Sequence, residues 1–505
     1  MPKDHYLSID IGTGSVRAAL VDGAGQIRLI AAREHEQIVA AHGWSEQRPL
    51  DWWDGVVAVV RQVVDEAASD GRRIAAICAC GQMHGTVLVD GSGNLTRQTA
   101  PLWNDKRTLE HVARFEAANR PETYLSRTAN PATPAWPAFK LQWLRDEDLE
   151  AYRRAAVVLM PKDYVNFRLT GEIATDWTEA SISFLMEPES RAWSAQMLAR
   201  LGLDPDKLPP IRSPEQLLGQ VTAEAARQTG LPKGTPVLVG SGDFPLALLG
   251  SGVCREGIGS DVTGTSCIIS VITGEPLLDA EICNVATAEG NWGAFVLLET
   301  GGDAMRWARR AFHDNQLSYD DIVQRAAEAP AGADGLFFLP YLAGERLGEH
   351  RNARAQYFGL SAGHGSAHLH RAAMEGVALA ANRHLRIMET AAGTRLERVV
   401  ASGGGAKTDL WLKIKASAYD LPILLPEEPE CGVVGCAALA ARATGRFATV
   451  EQAADAFVRY VREIEPDPGW SERYAVMQPV FDRLYRTAQS FYDDLDRLGS
   501  PPDAI

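Results

Sequence analysis

An aspartate interrupts an apolar run near the start of the chain. Residues 6–25 read Y-L-S-I-D-I-G-T-G-S-V-R-A-A-L-V-D-G-A-G, with Asp10 just ahead of a turn of small residues, Gly12, Thr13, Gly14 and Ser15. Small residues let a backbone approach an anion, and several N–H groups then point at it. A similar group, D-V-T-G-T-S, recurs at Asp261–Ser266. The hydroxyls of Thr13, Ser15, Thr265 and Ser266 add donors. Two such turns on two lobes would grip a polyphosphate from opposite sides. Each turn alone also fits an ordinary β-hairpin, since tight hairpin turns favour glycine. The pair, with an acid at each, keeps both readings open.

Three further stretches carry chemistry. In V-L-V-G-S-G-D-F-P, residues 237–245, an apolar strand ends in glycines and Asp243 follows. Polar groups at the carboxyl ends of α/β strands face the ligand crevice, and an aspartate there can take a proton from a hydroxyl. The same residue also suits a turn that bonds its own loop. In C-A-C-G-Q-M-H-G-T-V-L-V-D, residues 78–90, a strand runs out into Gly81 before Met83 and His84. His84 suits either a hydrogen bond to a polyol or a structural role. In S-G-G-G-A-K-T-D-L-W, residues 402–411, three glycines precede a helix starting near Thr408. Such a turn lets a flat or anionic group lie against the backbone and a helix N-terminus.

Other chemistries are excluded. No Gly-Lys pair occurs, so there is no P-loop, and G-x-G-x-x-G fails at Arg17. Gly359-Leu-Ser361-Ala-Gly363 fits a nucleophile elbow by spacing, but His364 and Gly365 stand where the helix must begin. His364, His368 and His370 lack zinc-site spacing.

Strands and helices must position these groups. Residues 6–11 and 16–22 read as a hairpin, and 52–68 as a helix with Val56, Val59, Val60, Val63 and Val64 on one side. Apolar runs at 74–80, 156–160, 236–240, 267–271, 295–298, 398–402 and 421–425 read as buried strands. Helical patterns at 304–312, 366–392 and 408–419 alternate with them, which makes an α/β protein. The D-I-G-T-G-S and D-V-T-G-T-S pair is a weak internal repeat, so two similar halves with a cleft between them are expected. The boundary falls near residues 245–255: a first lobe over 1–248, a second over 249–485, and a helix end with a frayed tail over 486–505.

The 505 residues are 46% hydrophobic and 23% charged, with a net charge of −15. That balance argues against a nucleic-acid partner. The N-terminal residues resemble no signal peptide, and no run approaches the roughly 20 apolar residues of a membrane span. Seven scattered cysteines, including Cys431 and Cys436 flanking a Gly-rich turn, read as buried thiols in a reducing compartment. A cytoplasmic protein is expected.

Taken together, the motifs resemble the FGGY family of carbohydrate kinases, from about residue 6 to about residue 445. The markers are D-I-G-T-G-S-V-R, G-Q-M-H-G, P-L-W-N-D-K-R at 101–107, P-K-D-Y at 161–164, G-D at 242–243, G-T-S at 264–266, Y-L-A-G-E-R at 341–346, F-G-L at 358–360 and S-G-G-G-A. Residues 355–375 follow the family's C-terminal signature. The N-terminal signature at 137–144 has Lys140 and Trp143 in place, with Ala135 where a larger residue, glycine or serine is usual. The resemblance implies two ribonuclease-H-like lobes of the actin and hexokinase type, with ATP and a sugar in the cleft. Asp10 would sit beside the phosphates and help hold Mg²⁺. Gly12, Thr13, Gly14, Ser15 and Arg17 would lie about the transferring group, and Asp243 would be the general base. Met83, His84, Trp103 and Asp243 would line the sugar pocket. Gly264, Thr265, Ser266, Gly302, Gly404, Gly405 and Asp409 would meet ATP, with Gly404 and Gly405 under the nucleoside.

Met-His in G-Q-M-H-G, with W-N-D, is most similar to members acting on xylulose; glycerol-specific members carry Arg-Glu there. One position departs from the pattern. The family usually has Asn or Gln after the catalytic aspartate, and this chain has Phe244. Ribulose, L-xylulose and erythritol therefore stay open beside D-xylulose. A non-catalytic sensor of sugar or nucleotide is the reading from another class, and an actin-like filament a third. Dimers are common in the family, and no interface signal stands out.

Overall fold

A computed structural model describes residues 4–67, 73–347 and 351–499. Two sheets with the same inner order form its centre. In the first, β1 (His5–Ile11), β2 (Ser15–Asp22) and β3 (Ile27–Glu34) make an antiparallel meander. On the other side of β1, β4 (Ile74–Gly81) runs parallel to it, and β5 (Pro236–Leu238) parallel to β4. In the second sheet, β6 (Ile258–Thr263), β7 (Cys267–Thr273) and β8 (Trp292–Leu298) repeat the meander. β9 (Arg398–Ser402) then lies parallel to β6, and β10 (Ile423–Pro426) parallel to β9. The weak repeat in the sequence is thus a repeated five-strand unit.

Residue patterns explain the elements. β1 and β4 are buried on both faces, as continuous apolar runs must be. β3, I-R-L-I-A-A-R-E, alternates with exposed charges at a sheet edge, so no apolar run announces it. Helix α1 (Pro49–Ala67) packs Trp52, Val56, Val60 and Val63 into the first core; Ala68, its expected last residue, lies outside the described residues. The run at 156–160 gives only a short strand, Val157–Leu159, paired with Val87–Val89 apart from the main sheet. Pro161 opens a helix directly after it and cuts the strand short.

Further helices bear on the cleft: α2 (Asp243–Gly250), α3 (Ser366–Ala392), α4 (Asp409–Tyr419) and α5 (Cys431–Ala443). The Gly-rich turn expected between Cys431 and Cys436 is instead the first part of α5. This helix, late in the chain, packs on the first sheet. Val433, Ala437 and Leu439 join Tyr6, Cys78, Cys80, Leu246 and Leu249 in one core, and Ser8 Oγ donates to the Val433 carbonyl at 2.8 Å. The glycines are there for close approach: a Cβ on Gly435 would lie 2.0 Å from the Leu246 carbonyl oxygen. All seven cysteines are buried and unpaired. Among the described residues no helix is long and apolar enough to cross a membrane. Tyr492–Gly499 is helical, and the tail at 500–505 lies outside the described residues.

Candidate active site

A large cleft lies between the two sheets. Its walls include Asp10, Gly12, Thr13, Arg17, Met83, His84, Trp103 and Asp243 from the first half and Ser266, Phe295, Leu297, Arg346, Ser402 and Gly403 from the second. Nine residues singled out by sequence thus meet at one place. Gly14, Ser15, Gly264, Thr265, Gly302, Gly404, Gly405 and Asp409 are not wall residues; they belong to the turns around it.

The first turn is held from outside. The Gly12 N–H donates to the Ser15 carbonyl at 3.0 Å and is spent in closing the turn. The Thr13 carbonyl accepts from Gln47 Nε2 at 2.7 Å, and Trp103 Nε1 donates to Thr13 Oγ1 at 3.0 Å. Gln82 Nε2 in turn donates to Gln47 Oε1 at 2.7 Å. A Cβ on exposed Gly14 would meet nothing within 4 Å, so this part of the turn faces open space. In the second turn the Gly302 N–H donates to the Gly264 carbonyl at 2.8 Å, and a Cβ on Gly302 would lie 2.5 Å from that oxygen. Gly302 therefore braces the turn by contact. Gly403 has φ +80°, a Cβ on Gly405 would sit 2.7 Å from Thr263, and Gly404 faces open space. Asp409 starts α4 and pairs with Arg462 at 2.9 Å.

The acids differ in environment. Burial pushes the Asp10 carboxyl up; its contacts to Arg17 Nη1 at 3.3 Å and Cys80 Sγ at 3.5 Å are long and leave oxygen lone pairs to spare. Asp243 is the first residue of α2, and its Oδ1 accepts the Phe244 N–H at 2.7 Å. Burial, and then the charge on Asp10, raises its carboxyl to about 7. A carboxylate at that value can accept a proton near neutral pH. Asp261, the apparent counterpart of Asp10, does not face the cleft. Side chains on a strand alternate: Ser260 and Val262 line the cleft, and Asp261 points behind the sheet. There it binds Lys415 Nζ at 2.9 and 2.7 Å, the Thr263 hydroxyl at 2.6 Å and the Tyr419 hydroxyl at 2.8 Å.

Asp243 is also supported from behind. Fully buried Lys162 pairs with Asp163 at 2.6 Å and Asp176 at 2.9 Å. Asp176 accepts the Thr178 hydroxyl at 2.5 Å, and Thr178 Oγ1 accepts the Gly242 N–H at 3.0 Å. This chain fixes the residue before the acid. His84 has φ +67°, a strained value for a non-glycine residue. Lys140 Nζ donates to its carbonyl at 2.8 Å, and its ring packs on Trp136 at 5.1 Å. Burial, reinforced by Lys140 and Arg346, holds the imidazole neutral. Phe244 meets Phe295 edge-on at 5.3 Å and makes an apolar wall beside the acid. Sequence reading gave no role to Gln47, Gln82, Phe295 or Arg346; only Gln82 and Arg346 lie in quoted motifs.

Asp10 fits a divalent cation that arrives with phosphates. Mg²⁺ usually takes one or two carboxylates and completes its shell with water and phosphate oxygens. Asp10 offers an under-bonded carboxylate on the cleft wall, beside the first turn.

Two family models match the chain: the N-terminal domain of the FGGY family of carbohydrate kinases over residues 5–250, and its C-terminal domain over 260–444. A xylulose kinase of Bacillus subtilis is 29% identical over 486 residues, covering 95% of this chain and 96% of that protein. An autoinducer-2 kinase of Klebsiella pneumoniae is 28% identical, covering 95% and 93%. The crystal structure of xylulose kinase from Rhodospirillum rubrum is 31% identical with a TM-score of 0.91, covering 97% of this chain and 100% of that one.

Proposed function

The chain belongs to the FGGY family of carbohydrate kinases, and on that premise we propose that it transfers a phosphoryl group from ATP to the terminal hydroxyl of a ketopentose, D-xylulose giving D-xylulose 5-phosphate. The observation that carries this reading is Asp243, raised to about 7 and set beside Asp10 in a cleft walled by both a phosphate-type turn and a polyol-type pocket.

Each residue then has a task. Asp243 takes the proton of the acceptor hydroxyl as that oxygen bonds to the γ-phosphorus. The bond from phosphorus to the bridging oxygen breaks, ADP leaves, and the proton stays on Asp243 until product release. The Thr13–Ser15 turn receives the phosphate oxygens, and Ser266 faces them from the second lobe. Met83, His84 and Trp103 hold the sugar. Asp10 would hold Mg²⁺, which when bound neutralises phosphate charge. Closure of the lobes would keep water from the transferring group.

Two measurements test this. The first is ADP release with MgATP across D-xylulose, L-xylulose, D- and L-ribulose, erythritol, glycerol and a blank. D-xylulose is expected to lead. A signal only with another acceptor keeps the kinase and moves the substrate, and Phe244 favours that second reading, because an apolar wall cannot pair with a hydroxyl. Silence with sugar binding retained turns the reading to a sensor. In the second, Asp10→Ala lowers turnover about 10²- to 10³-fold, most at limiting Mg²⁺. No change at any Mg²⁺ concentration would remove Asp10 from the assignment.

A further inference from the structure

Beyond the sugar pocket, five cleft residues, His84, Trp103, Phe295, Leu297 and Arg346, also wall a second, much smaller cavity. Its far side is formed by Thr133 and Trp136 from the first half and by Glu281, Glu345, His384 and Tyr485 from the second. Asp243 does not reach it, so the chamber lies on the other side of His84 and Trp103 from the acid. His384 is only 4% exposed, and neither of its ring nitrogens has a hydrogen-bond partner. His84 Nδ1 is also unpartnered. Buried polar atoms are nearly always paired, so three unpaired nitrogens on one chamber's wall point to an occupant that forms hydrogen bonds.

Charge selects the class of occupant. His384 is held neutral by burial and by the neighbouring Arg383. Arg346 already pairs with Glu299 at 2.7 Å, and Arg383 with Glu281 at 3.7 Å. Glu281 and Glu345, the latter bonded to the Tyr485 hydroxyl, put two carboxyl groups on the wall, which oppose an anion. Carboxyl groups on the wall disfavour a carboxylate or phosphate, whereas hydroxyls can both donate to and accept from the imidazole and carboxyl groups present. We propose that this chamber receives the distal end of the acceptor, so that neutral ketoses of six and seven carbons are phosphorylated at their terminal hydroxyl alongside ketopentoses. The proposal rests on the kinase reading above.

The test compares D-xylulose, D-fructose and D-sedoheptulose as acceptors with MgATP, in the wild type and in His384→Leu. The longer ketoses are expected to reach at least the kcat/KM of D-xylulose. His384→Leu is expected to lower the long-to-short ratio of kcat/KM about tenfold, the loss of one or two hydrogen bonds. If that variant does not fold, Thr133→Val on the same chamber's wall is read in the same way. D-xylulose turned over with both longer ketoses below about a hundredth of its kcat/KM, or a ratio unmoved by the variants, overturns the chamber and leaves the kinase. Tryptophan fluorescence without ATP separates the failures, since Trp103 and Trp136 line the chamber. A heptulose-induced change lost in His384→Leu supports the chamber even where no acceptor is turned over and the kinase reading falls. No change with any ketose overturns it.

Discussion

Asp243→Asn is expected to cut turnover about 10³-fold, the contribution of a well-placed general base, while sugar and nucleotide binding stay within a few-fold. The substitution keeps an oxygen to accept the Phe244 N–H, so the first turn of α2 has no reason to move. Only the ability to take a proton is lost. The pH profile carries the same assignment. The wild-type rate should climb with pH to a plateau above about 7, because the base acts only when ionised. Asp10→Asn should move that climb to lower pH, since the charge on Asp10 is one cause of the raised value. Stability gives an independent check. The folded carboxyl holds its proton more tightly than the unfolded one, so its contribution is fully present below about 3.8 and lost as pH rises through about 7. At pH 8 the variant, which never ionises, should be the more stable by up to roughly 4 kcal/mol, less where cleft water screens the carboxylate. At pH 4 the two should unfold at the same urea concentration. Near-full turnover in Asp243→Asn would end the base assignment.

What the sequence disclosed follows from what periodicity and strand ends can encode. The β1–β2 hairpin, β4 and the glycines after β5 were readable because buried strands are apolar runs and ligand groups cluster where such runs stop. That also led to Asp10, His84 and Asp243 at one cleft. Asp261 shows the limit. Its motif copies that of Asp10, but it stands one residue further from the end of its strand, and alternation sends it to the other face, where Lys415 and Tyr419 satisfy it. β3 was silent because its exposed face breaks the apolar run. Buried Lys140 and Lys162 look like surface residues until the carbonyl and carboxylates that hold them are seen. The chamber beyond His84 joins Thr133 to His384, and no local pattern reports a contact over that separation.

Helix α5 looked like a turn for a related reason: its glycines suggest flexibility, whereas their packing shows contact. That contact yields the second large effect. Gly435→Ala is expected to destabilise the protein by roughly 3 kcal/mol, although alanine favours a helix over glycine by about 1 kcal/mol. The new Cβ would lie 2.0 Å from the Leu246 carbonyl oxygen and 2.8 Å from its carbon. These are backbone atoms, so no side-chain rotation relieves the overlap, and α2 and α5 must part. The partner glycine admits no compromise, because a Cβ on Gly250 would already sit 1.8 Å from the Cys431 carbonyl oxygen. Parting the helices moves the segment that begins with Asp243, and a shift of about 1 Å at a catalytic group costs on the order of 10²-fold in rate. Gly432→Ala is the control on the same helix. Its Cβ would meet only Cys80 Sγ at 3.8 Å, an ordinary contact, and helix propensity should leave it neutral or slightly stabilising. Urea midpoints and kcat for the two variants decide the matter. If Gly435→Ala behaves like Gly432→Ala, the crossing of α2 and α5 does not hold the base in place, and the chain from Lys162 through Thr178 to Gly242 must carry that task alone.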